Sequence, residues 1–424
     1  MEKLTIKTEN EIIPLQNSAG RFLAQDVSAD RDQPPFNRAA MDGIAVRSED
    51  LTAGISRFTS IGTLAAGQGP AELGLSLSCG TASLRVIKKP GECVEIMTGA
   101  AVPDDFDSII PYEVINRQES QFSLPDKAEA VKFPCGKNIH IQGSDYKKGK
   151  CLLPAGTRIN TPSIALLAAV GIAEPWVYGE PRISIISTGN ELVPVDDTPQ
   201  AHQIRQSNIH VLRAELSAWG FTRVQTLHSR DDEQELTSAI RNSLRQSDVL
   251  ILSGGISKGV YDLVPEILQK EGVRCLAHGV TQRPGKPLYL GTACSKNAGL
   301  VVGLPGNPVS SLINLRRYVV PFLGTIIAGK QSGSEIREVM PWTPIPVKLS
   351  EEIRFKARMT YFPAVYLRRH NDGVITAAAV NGNGSGDFYS ISRSHGFLEL
   401  PAGQDHFEPG YTAPCFCWGP GSVI

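Results

Sequence analysis

The chain has 424 residues, which exceeds a single hydrophobic core and predicts about three domains. Its 42 basic and 43 acidic residues give a net charge of −1, which disfavours nucleic acid as the main partner. Its longest apolar runs fall short of the roughly 20 residues that a membrane span needs, and its first residues lack the apolar core of a secretory signal. We therefore expect a cytoplasmic protein that binds neither nucleic acid nor a membrane.

The N-terminal third alternates short β-like runs with turns. The segment 32–37 contains two prolines and predicts a rigid connector, and the text around Ser18 is compatible with a helix. From about 45 to 139 the runs are short and interrupted by glycine and proline, which predicts a small, mainly-β domain. Residues 157–174 predict a helix that ends near Gly171.

A different pattern begins at residue 181, where apolar runs alternate with helical periodicity. Strands are predicted at 183–186, 224–227, 249–252 and 300–302, and helices at 208–219, 232–244, 263–270 and 309–323. This alternation predicts a doubly wound parallel α/β sheet. After a polar segment, residues 343–424 hold glycine-punctuated β-like runs that predict a small barrel or sandwich.

The eight cysteines contain no CxxC pair. Only Cys415 and Cys417 are close in sequence, and we expect their side chains on opposite faces of a strand, a poor geometry for a shared metal. Free thiols in a reducing compartment are favoured over a metal site.

Two glycine-rich loops each follow a predicted strand and precede a helix, at 253–257 and 303–308. Ligands bind at the carboxyl ends of parallel strands, and helix starts offer unpaired N–H groups to anions. The basic pair Arg283 and Lys286 would neutralise such an anion. This stretch predicts a phosphorylated ligand.

Three acids, Glu191, Asp231 and Asp262, each follow a strand of the same predicted sheet. Each alone could be a helix cap or a solvated loop residue. Three carboxylates at one edge repel one another unless a cation lies between them, and oxygen ligands beside a phosphate suit Mg²⁺. The set therefore predicts a magnesium site.

Other motifs are weaker. Asp42 and Asp145 lie in sequences typical of turns, and Thr98 is either an anion contact or a strand end. Neither Lys258-Gly259 nor Gly285-Lys286 has the P-loop pattern, an HExxH motif is absent from the sequence, and the eight histidines are dispersed. ATPase chemistry of the P-loop type, a hydrolytic triad and a zinc site have little support.

Six motifs together resemble the molybdopterin molybdenumtransferase family, of the MoeA and gephyrin E-domain type. Each motif is weak, but the set occurs in family order between about residues 20 and 390. The motifs are Pro34–Arg47, Gly91–Ala100, Ser187–Leu192, Ser253–Ser257, Arg283–Pro287 and Leu304–Ser310.

The resemblance implies a multidomain α/β plus β architecture. It consists of an α/β bridging and dimerisation domain (1–44 and 140–175), an inserted mainly-β domain (45–139), a doubly wound MogA-like molybdopterin-binding α/β domain (176–327) and a C-terminal β-barrel (335–424). It also implies an elongated homodimer whose active site lies between the α/β domain of one subunit and the bridging region of the other. Transient contacts with other molybdenum-cofactor proteins are expected.

The implied reaction belongs to molybdenum cofactor biosynthesis: Mg²⁺-dependent insertion of molybdate into adenylylated molybdopterin, with release of AMP. The implied catalytic residues are Asp42, Asp145, Glu191, Asp231, Asp262 and Arg283, and the implied metal ligands are Glu191, Asp231 and Asp262. The implied substrate-binding residues are Thr98, Ser253, Gly254, Gly255, Ser257, Lys286, Pro305, Gly306, Asn307, Pro308 and Ser385.

The chain departs from the family pattern at a few positions. Arg283 stands where the family usually has lysine, and Gly279 stands where many members have another lysine. Two alternatives therefore stay open. One is a molybdopterin adenylyltransferase of the MogA type, and the other is a non-catalytic scaffold that binds molybdopterin or a partner protein.

Overall fold

The computed structural model describes residues 6, 8–75, 89–256, 263–293, 298–328, 342–355 and 358–420. Two predicted site residues, Ser257 and Asp262, lie outside the described residues, as does most of the polar segment before the C-terminal domain. The chain divides into two compact units. One consists of residues 1–25, 155–164 and 174–424, and the other of residues 26–154 and 165–173. The four domain ranges expected from the family resemblance stay predictions.

The described strands, in chain order, are β1 (Glu11–Ile12), β2 (Val27–Ser28), β3 (Arg38–Ala39), β4 (Gly43–Val46), β5 (Arg57–Leu64), β6 (Glu92–Ile96), β7 (Ser108–Pro111), β8 (Asn116–Gln118), β9 (Gln121–Ser123), β10 (Ile139–His140), β11 (Cys151–Leu153), β12 (Trp176–Val177), β13 (Ile183–Thr188), β14 (Leu192–Val193), β15 (Ile204–Arg205), β16 (Val224–Ser229), β17 (Val249–Ser253), β18 (Arg274–His278), β19 (Gln282–Arg283), β20 (Tyr289–Thr292), β21 (Leu300–Leu304), β22 (Ile345–Leu349), β23 (Ile353–Arg354), β24 (Thr360–Tyr361), β25 (Ala364–Arg369), β26 (Ile375–Ala379), β27 (Gly396–Leu398), β28 (His406–Phe407) and β29 (Thr412–Cys417). The described α-helices are α1 (Ser48–Thr52), α2 (Thr161–Ala169), α3 (Asn208–Ala218), α4 (Glu233–Gln246), α5 (Val264–Lys270), α6 (Pro308–Asn314), α7 (Val320–Ile327) and α8 (Phe388–Ser392). Short 3₁₀ helices cover Leu15–Asn17, Pro70–Leu73, Tyr112–Val114 and Lys127–Lys132, and a π-helical turn covers Leu315–Val319.

In the unit of residues 26–154 and 165–173, the main element is a six-stranded sheet in the order β7-β4-β6-β5-β9-β8. Successive residues of a strand point to opposite faces, and both faces of this sheet are covered. Ala45 and Val94 pack into one hydrophobic cluster, whereas Ile44 and Cys93 pack into another. This sheet confirms the mainly-β character predicted for residues 45–139.

The other unit contains a six-stranded sheet in the order β16-β13-β17-β21-β20-β18. Strands β16, β13, β17 and β21 pair in parallel, but β20 and β18 pair antiparallel. The four predicted strands are therefore the parallel ones, and β20 and β18 extend the sheet in antiparallel at one edge. Parallel neighbours need a crossover connection of a dozen or more residues, and the connections around β20 are shorter.

Helices cover both faces of this sheet, as a doubly wound fold requires. Helix α3 packs Leu212 and Leu216 against Ile183 and Ile185 of β13 on one face. Helices α4 and α5 pack on the other face, for example through Ile240. The doubly wound α/β prediction is confirmed.

Helix boundaries differ from the predictions in three places. The predicted helix 309–323 is α6 followed by a π-helical turn and α7, and the predicted helix 157–174 is limited to α2. The segment around Ser18 contains a 3₁₀ turn, because Ser18 bonds back to the Leu15 carbonyl and does not start a helix.

The C-terminal region contains a closed barrel in the order β22-β26-β25-β27-β29, as predicted. Cys415 and Cys417 both point into its core and hydrogen-bond through their thiols, whereas Phe416 packs in a different cluster. The expectation that the two thiols lie on opposite faces is wrong, because residues two apart on a strand share a face. The described cysteines are free, as predicted.

A buried arginine joins the barrel to the α/β layers. Arg316 is 1% exposed, and its Nε donates to the Cys417 carbonyl at 2.8 Å while its Nη1 donates to the Trp342 carbonyl at 3.1 Å. Its guanidinium lies 4.3 Å from the centre of the Trp219 ring and 3.7 Å from Glu215. Burial lowers the pKa of Arg316 to about 10 and raises the pKa of Glu215. The desolvation of the two charges therefore outweighs their electrostatic attraction.

Among the described residues, none of the helices combines the length and the apolar character that crossing a membrane requires.

Candidate active site

Loops from three neighbouring strands meet at the carboxyl edge of the α/β sheet. The Gly254 N–H donates to the Leu304 carbonyl at 3.1 Å, which joins the loop after β17 to the end of β21. Gly254 and Gly255 have φ of +101° and +64°, and a Cβ on Gly254 would lie 2.8 Å from the Thr188 carbonyl oxygen. Only glycine fits this left-handed backbone and this close approach, so the sequence Ser253-Gly254-Gly255 has a direct structural cause.

The two glycine-rich loops are also joined by a side chain that sequence reasoning missed. Asn208 Nδ2 donates to Ser253 Oγ and to the Gly306 carbonyl, both at 2.8 Å. The sequence placed Asn208 only at the start of the predicted helix 208–219. Its position at the first residue of α3, at the ligand-binding edge of the sheet, is the signal that could have identified it.

The second loop leads directly into α6. Pro305 and Gly306 connect β21 to the helix, Asn307 is the residue before the helix, and Pro308 is its first residue. The Asn307 side chain makes no capping hydrogen bond and lines a cavity. It is therefore free of the structural role that an asparagine usually has at this position.

Asp231 is held at the same edge of the sheet. Its Oδ1 accepts the Thr188 hydroxyl at 2.5 Å, and its Oδ2 accepts the Asn190 N–H at 3.2 Å. The neighbouring Asp232 is the cap of α4, because its side chain accepts the N–H groups of Gln234 and Glu235. Asp231 is therefore not the cap of α4, which was one of the two structural alternatives for this residue.

Glu191 follows Asn190 in the same loop and is exposed. Its carboxylate folds over Gly189, where a Cβ would lie 2.7 Å from Oε2. In the described part of the chain, no group of three His, Cys, Asp or Glu side chains forms a metal site. Glu191 and Asp231 stand on adjoining loops, whereas the third predicted ligand, Asp262, lies outside the described residues.

Arg283, Lys286, Asn307 and Ser385 line one cavity of about 710 Å³ between the α/β layers and the barrel. Both cations are exposed, and neither forms an ion pair with a described residue. The Arg283 guanidinium lies 5.9 Å from the centre of the Phe355 ring, which stacks on Tyr361 at 4.0 Å. The Ser385 carbonyl accepts the Val309 N–H at 3.1 Å, so the glycine-rich barrel loop touches the start of α6.

In the other unit, Asp42 and Thr98 form a contact across 56 residues of sequence. Asp42 Oδ1 accepts the Thr98 N–H and the Thr98 hydroxyl, each at 2.6 Å. These bonds stabilise the carboxylate, the hydroxyl bond most strongly, and hold the pKa of Asp42 below its ordinary value. The following Gly43 is required by packing, since a Cβ there would lie 2.1 Å from the Ile110 carbonyl oxygen.

Asp145 lies in an exposed turn of the same unit. Its N–H donates to the Gln33 carbonyl at 2.9 Å. The Gln142 N–H donates to Asn37 Oδ1, which holds this turn beside the Pro-Pro connector. No described contact joins the Asp145 carboxylate to Asp42.

Removing the Thr98 hydroxyl should raise the pKa of Asp42 toward the ordinary aspartate value of about 3.9. The folded-state pKa is depressed, so the associated stabilisation is present above the unfolded pKa and is lost as pH falls through the folded pKa. A carboxyl ¹³C NMR titration of Thr98→Val measures the change. Thr52→Val is the matched control, because the Thr52 hydroxyl bonds only to the Ser48 carbonyl. An unchanged Asp42 titration in Thr98→Val would contradict the assignment.

Comparisons with known proteins agree along most of the chain. Residues 1–171 match the MoeA N-terminal region (domain I and II), residues 184–325 match a probable molybdopterin binding domain, and residues 346–415 match the MoeA C-terminal region (domain IV).

Curated relatives and a solved structure point the same way. The chain is 36% identical over 406 residues to a molybdopterin molybdenumtransferase of Synechocystis sp., covering 95% of this chain and 94% of that protein. It is 31% identical to the molybdopterin molybdenumtransferase of Bacillus subtilis, covering 95% and 89%. The crystal structure of the molybdopterin biosynthesis MoeA protein from Pyrococcus horikosii superimposes with a TM-score of 0.73 at 28% identity, covering 98% and 95%. The chain therefore belongs to the molybdopterin molybdenumtransferase family and is a transferase of molybdenum cofactor biosynthesis.

Proposed function

We propose that this transferase inserts molybdate into adenylylated molybdopterin in a Mg²⁺-dependent reaction that releases AMP. The observation that carries the proposal is a pair of cations, Arg283 and Lys286, that have no ion-pair partner among the described residues and line a cavity together with Asn307 and Ser385. Molybdate is a dianion and the adenylylated substrate carries phosphates, so the charge of this wall matches both.

The cavity has groups suited to binding an oxyanion. A guanidinium can fork onto two oxygens, an ammonium supplies a compact charge, and the Asn307 amide and the Ser385 hydroxyl can donate to further oxygens. Cleavage of the phosphoanhydride develops negative charge on the leaving AMP phosphate. Cations already positioned for that charge lower the barrier without reorganising.

The donor chemistry at the sheet edge is compatible with Mg²⁺. Glu191 and Asp231 offer hard carboxylate oxygens beside the glycine-rich loops, and magnesium commonly uses one or two protein carboxylates together with waters and substrate phosphates. Asp262 is proposed as the third ligand. When bound, Mg²⁺ would neutralise charge on phosphate oxygens.

The described loops would orient the substrate. The glycines at 254, 255 and 306 allow the backbone to approach a phosphate closely, and Asn208 keeps the two loops together. The family resemblance also assigns Asp42, Thr98 and Asp145 to the site, and those assignments stay predictions.

The test is a turnover assay with purified protein, adenylylated molybdopterin, Mg²⁺ and molybdate. Molybdate-dependent AMP release with formation of active cofactor would support the proposal. AMP transfer from ATP to free molybdopterin would instead identify an adenylyltransferase. Tight binding of the adenylylated substrate without AMP release would identify a scaffold.

We propose in addition that the chain forms a homodimer in the cytoplasm and contacts other molybdenum-cofactor proteins transiently. Free thiols in the described residues support a reducing compartment. Sedimentation of the purified protein tests the dimer.

A further inference from the structure

The backbone that carries the two cavity cations has an unusual distribution of hydrogen bonds. Every carbonyl from Arg283 to Leu288 accepts a hydrogen bond from another part of the unit. The Arg283, Lys286 and Leu288 carbonyls accept the N–H groups of Phe362, Val280 and Gly279 at 2.8, 3.0 and 2.7 Å. The Gly285 and Lys286 N–H groups, by contrast, donate to no acceptor among the described residues.

Two buried side-chain amides satisfy the other three carbonyls. Gln282 Nε2 donates to the Pro284 carbonyl at 2.9 Å, and Asn314 Nδ2 donates to the carbonyls of Gly285 at 3.1 Å and Pro287 at 3.4 Å. Gln282 is 2% exposed and Asn314 is fully buried.

The orientation of these amides is itself determined. Gln282 Nε2 also donates to Asn314 Oδ1 at 2.7 Å, and Gln282 Oε1 accepts the Tyr318 hydroxyl. Asn314 and Tyr318 are four residues apart on one continuous helical segment, so both reach the same side of it. With both acceptor oxygens occupied, the amide N–H groups are directed at the loop.

The loop fits this network closely. Gly285 has φ of +89°, and a Cβ there would lie 2.7 Å from Asn314 Oδ1 and 2.9 Å from Gln282 Nε2. The backbone therefore lies directly on the two amides, with no room for a side chain between them.

We propose that Gln282, Asn314 and Tyr318 are positioning residues for anion binding by the loop of Arg283 to Pro287. They hold the carbonyls of Pro284, Gly285 and Pro287 away from the cavity, and this leaves two N–H groups and two cationic side chains to face the ligand. The identity of the anion rests on the proposed function, whereas the positioning does not.

The physical reason is electrostatic. A peptide group that rotates its carbonyl into the cavity replaces a favourable dipole with a repulsive one beside the anion, so the network removes the competing loop conformation. A buried hydrogen bond is worth about 1 kcal/mol, or a few-fold in population, and an amide that makes several bonds is worth more. We expect about a 5-fold weaker anion affinity in Tyr318→Phe and about a 30-fold weaker affinity in Asn314→Ala.

The experiment measures anion affinity and loop order separately in the full chain. Calorimetry gives the Kd of molybdate and of inorganic phosphate, and hydrogen exchange reports the Val280 and Phe362 amides, which bond to loop carbonyls. We expect weaker binding and faster exchange at these two amides in both variants, with KM for adenylylated molybdopterin less affected than KM for molybdate. Ser311→Ala is the matched control, because Ser311 is buried on the same helix but its hydroxyl has no partner among the described residues.

Tyr318→Phe removes one oxygen only, so it keeps the test usable if Asn314→Ala does not fold. Unchanged Kd values in Tyr318→Phe, or weaker binding without faster exchange at Val280 and Phe362, would overturn the positioning role. Phosphate binding without molybdate binding in the unaltered protein would refute the proposed function, and the variants would still be judged on phosphate. Binding of neither anion would overturn both.

Discussion

Replacing Lys286 with alanine is expected to lower molybdate-dependent AMP release by about 100-fold, because a preorganised charge facing a developing anion contributes about that much. Lys286 lines the cavity, is exposed, and has no ion-pair partner among the described residues. Its charge therefore does not stabilise the fold through an ion pair with any of those residues. Arg283→Ala should have a similar effect for the same reason. Steady-state AMP release at varied molybdate measures both.

Matched variants separate charge from shape and from general surface effects. Arg283→Lys should keep most of the activity, since the cation stays at the cavity wall and only the forked geometry is lost. Lys348→Ala removes another exposed lysine, on β22 and outside the cavity lining, and should leave AMP release within two-fold. If Lys286→Ala and Lys348→Ala behave alike, the cavity is not where molybdate binds.

Features that depend on local pattern could be predicted from the sequence. The run Ile183–Ile186 forms β13, the periodic apolar residues of α3 are buried, and Asp232 caps α4. Each of these follows from neighbours within a few residues, where hydrophobic period and capping chemistry decide.

Features that depend on long-range contact could not. Asn208 reaches Ser253 and Gly306 across 45 and 98 residues, and Asn314 reaches Gly285 across 29. The sequence predicts only that both asparagines lie in helices, because none of their neighbours in sequence indicates the residue to which they hydrogen-bond. Strands β18 and β20 were not among the predicted strands, and their antiparallel direction follows from connection length rather than from apolar content.

The site acids were identified by their place after strands and by family resemblance rather than by local chemistry. Position after a strand could not by itself separate Asp231 from Asp232, which are adjacent and equally acidic, and only the resemblance selected Asp231. The structure separates them, since Thr188 and Asn190 donate to Asp231 whereas the helix N–H groups of Gln234 and Glu235 donate to Asp232. A variant of Asp232 is therefore the matched control for a variant of Asp231.

Asp231→Asn is expected to lower the rate of AMP release by about 100-fold or more and to raise the Mg²⁺ concentration that gives half the maximal rate. Asparagine keeps the shape and the acceptor oxygen for the Thr188 hydroxyl and loses only the long, exposed bond from the Asn190 N–H, so the free energy of unfolding should change little. Asp232→Ala should show the reverse: a loss of about 1 kcal/mol in unfolding free energy, typical of a removed N-cap, with AMP release within two-fold.

Urea unfolding and Mg²⁺ titration of the two variants test this together. The two residues are neighbours in one loop, and each variant removes one negative charge. A nonspecific electrostatic effect would therefore lower the rate of AMP release equally in both variants. Loss of activity in Asp231→Asn only, with loss of stability in Asp232→Ala only, would place the metal-dependent step at the carboxyl end of β16. It would exclude a general effect of lowering the negative charge of the protein. Full activity and an unchanged Mg²⁺ requirement in Asp231→Asn would show that Asp231 is not a metal ligand. The assignment of Glu191 as a ligand would then also fail, because it depends on a second carboxylate nearby.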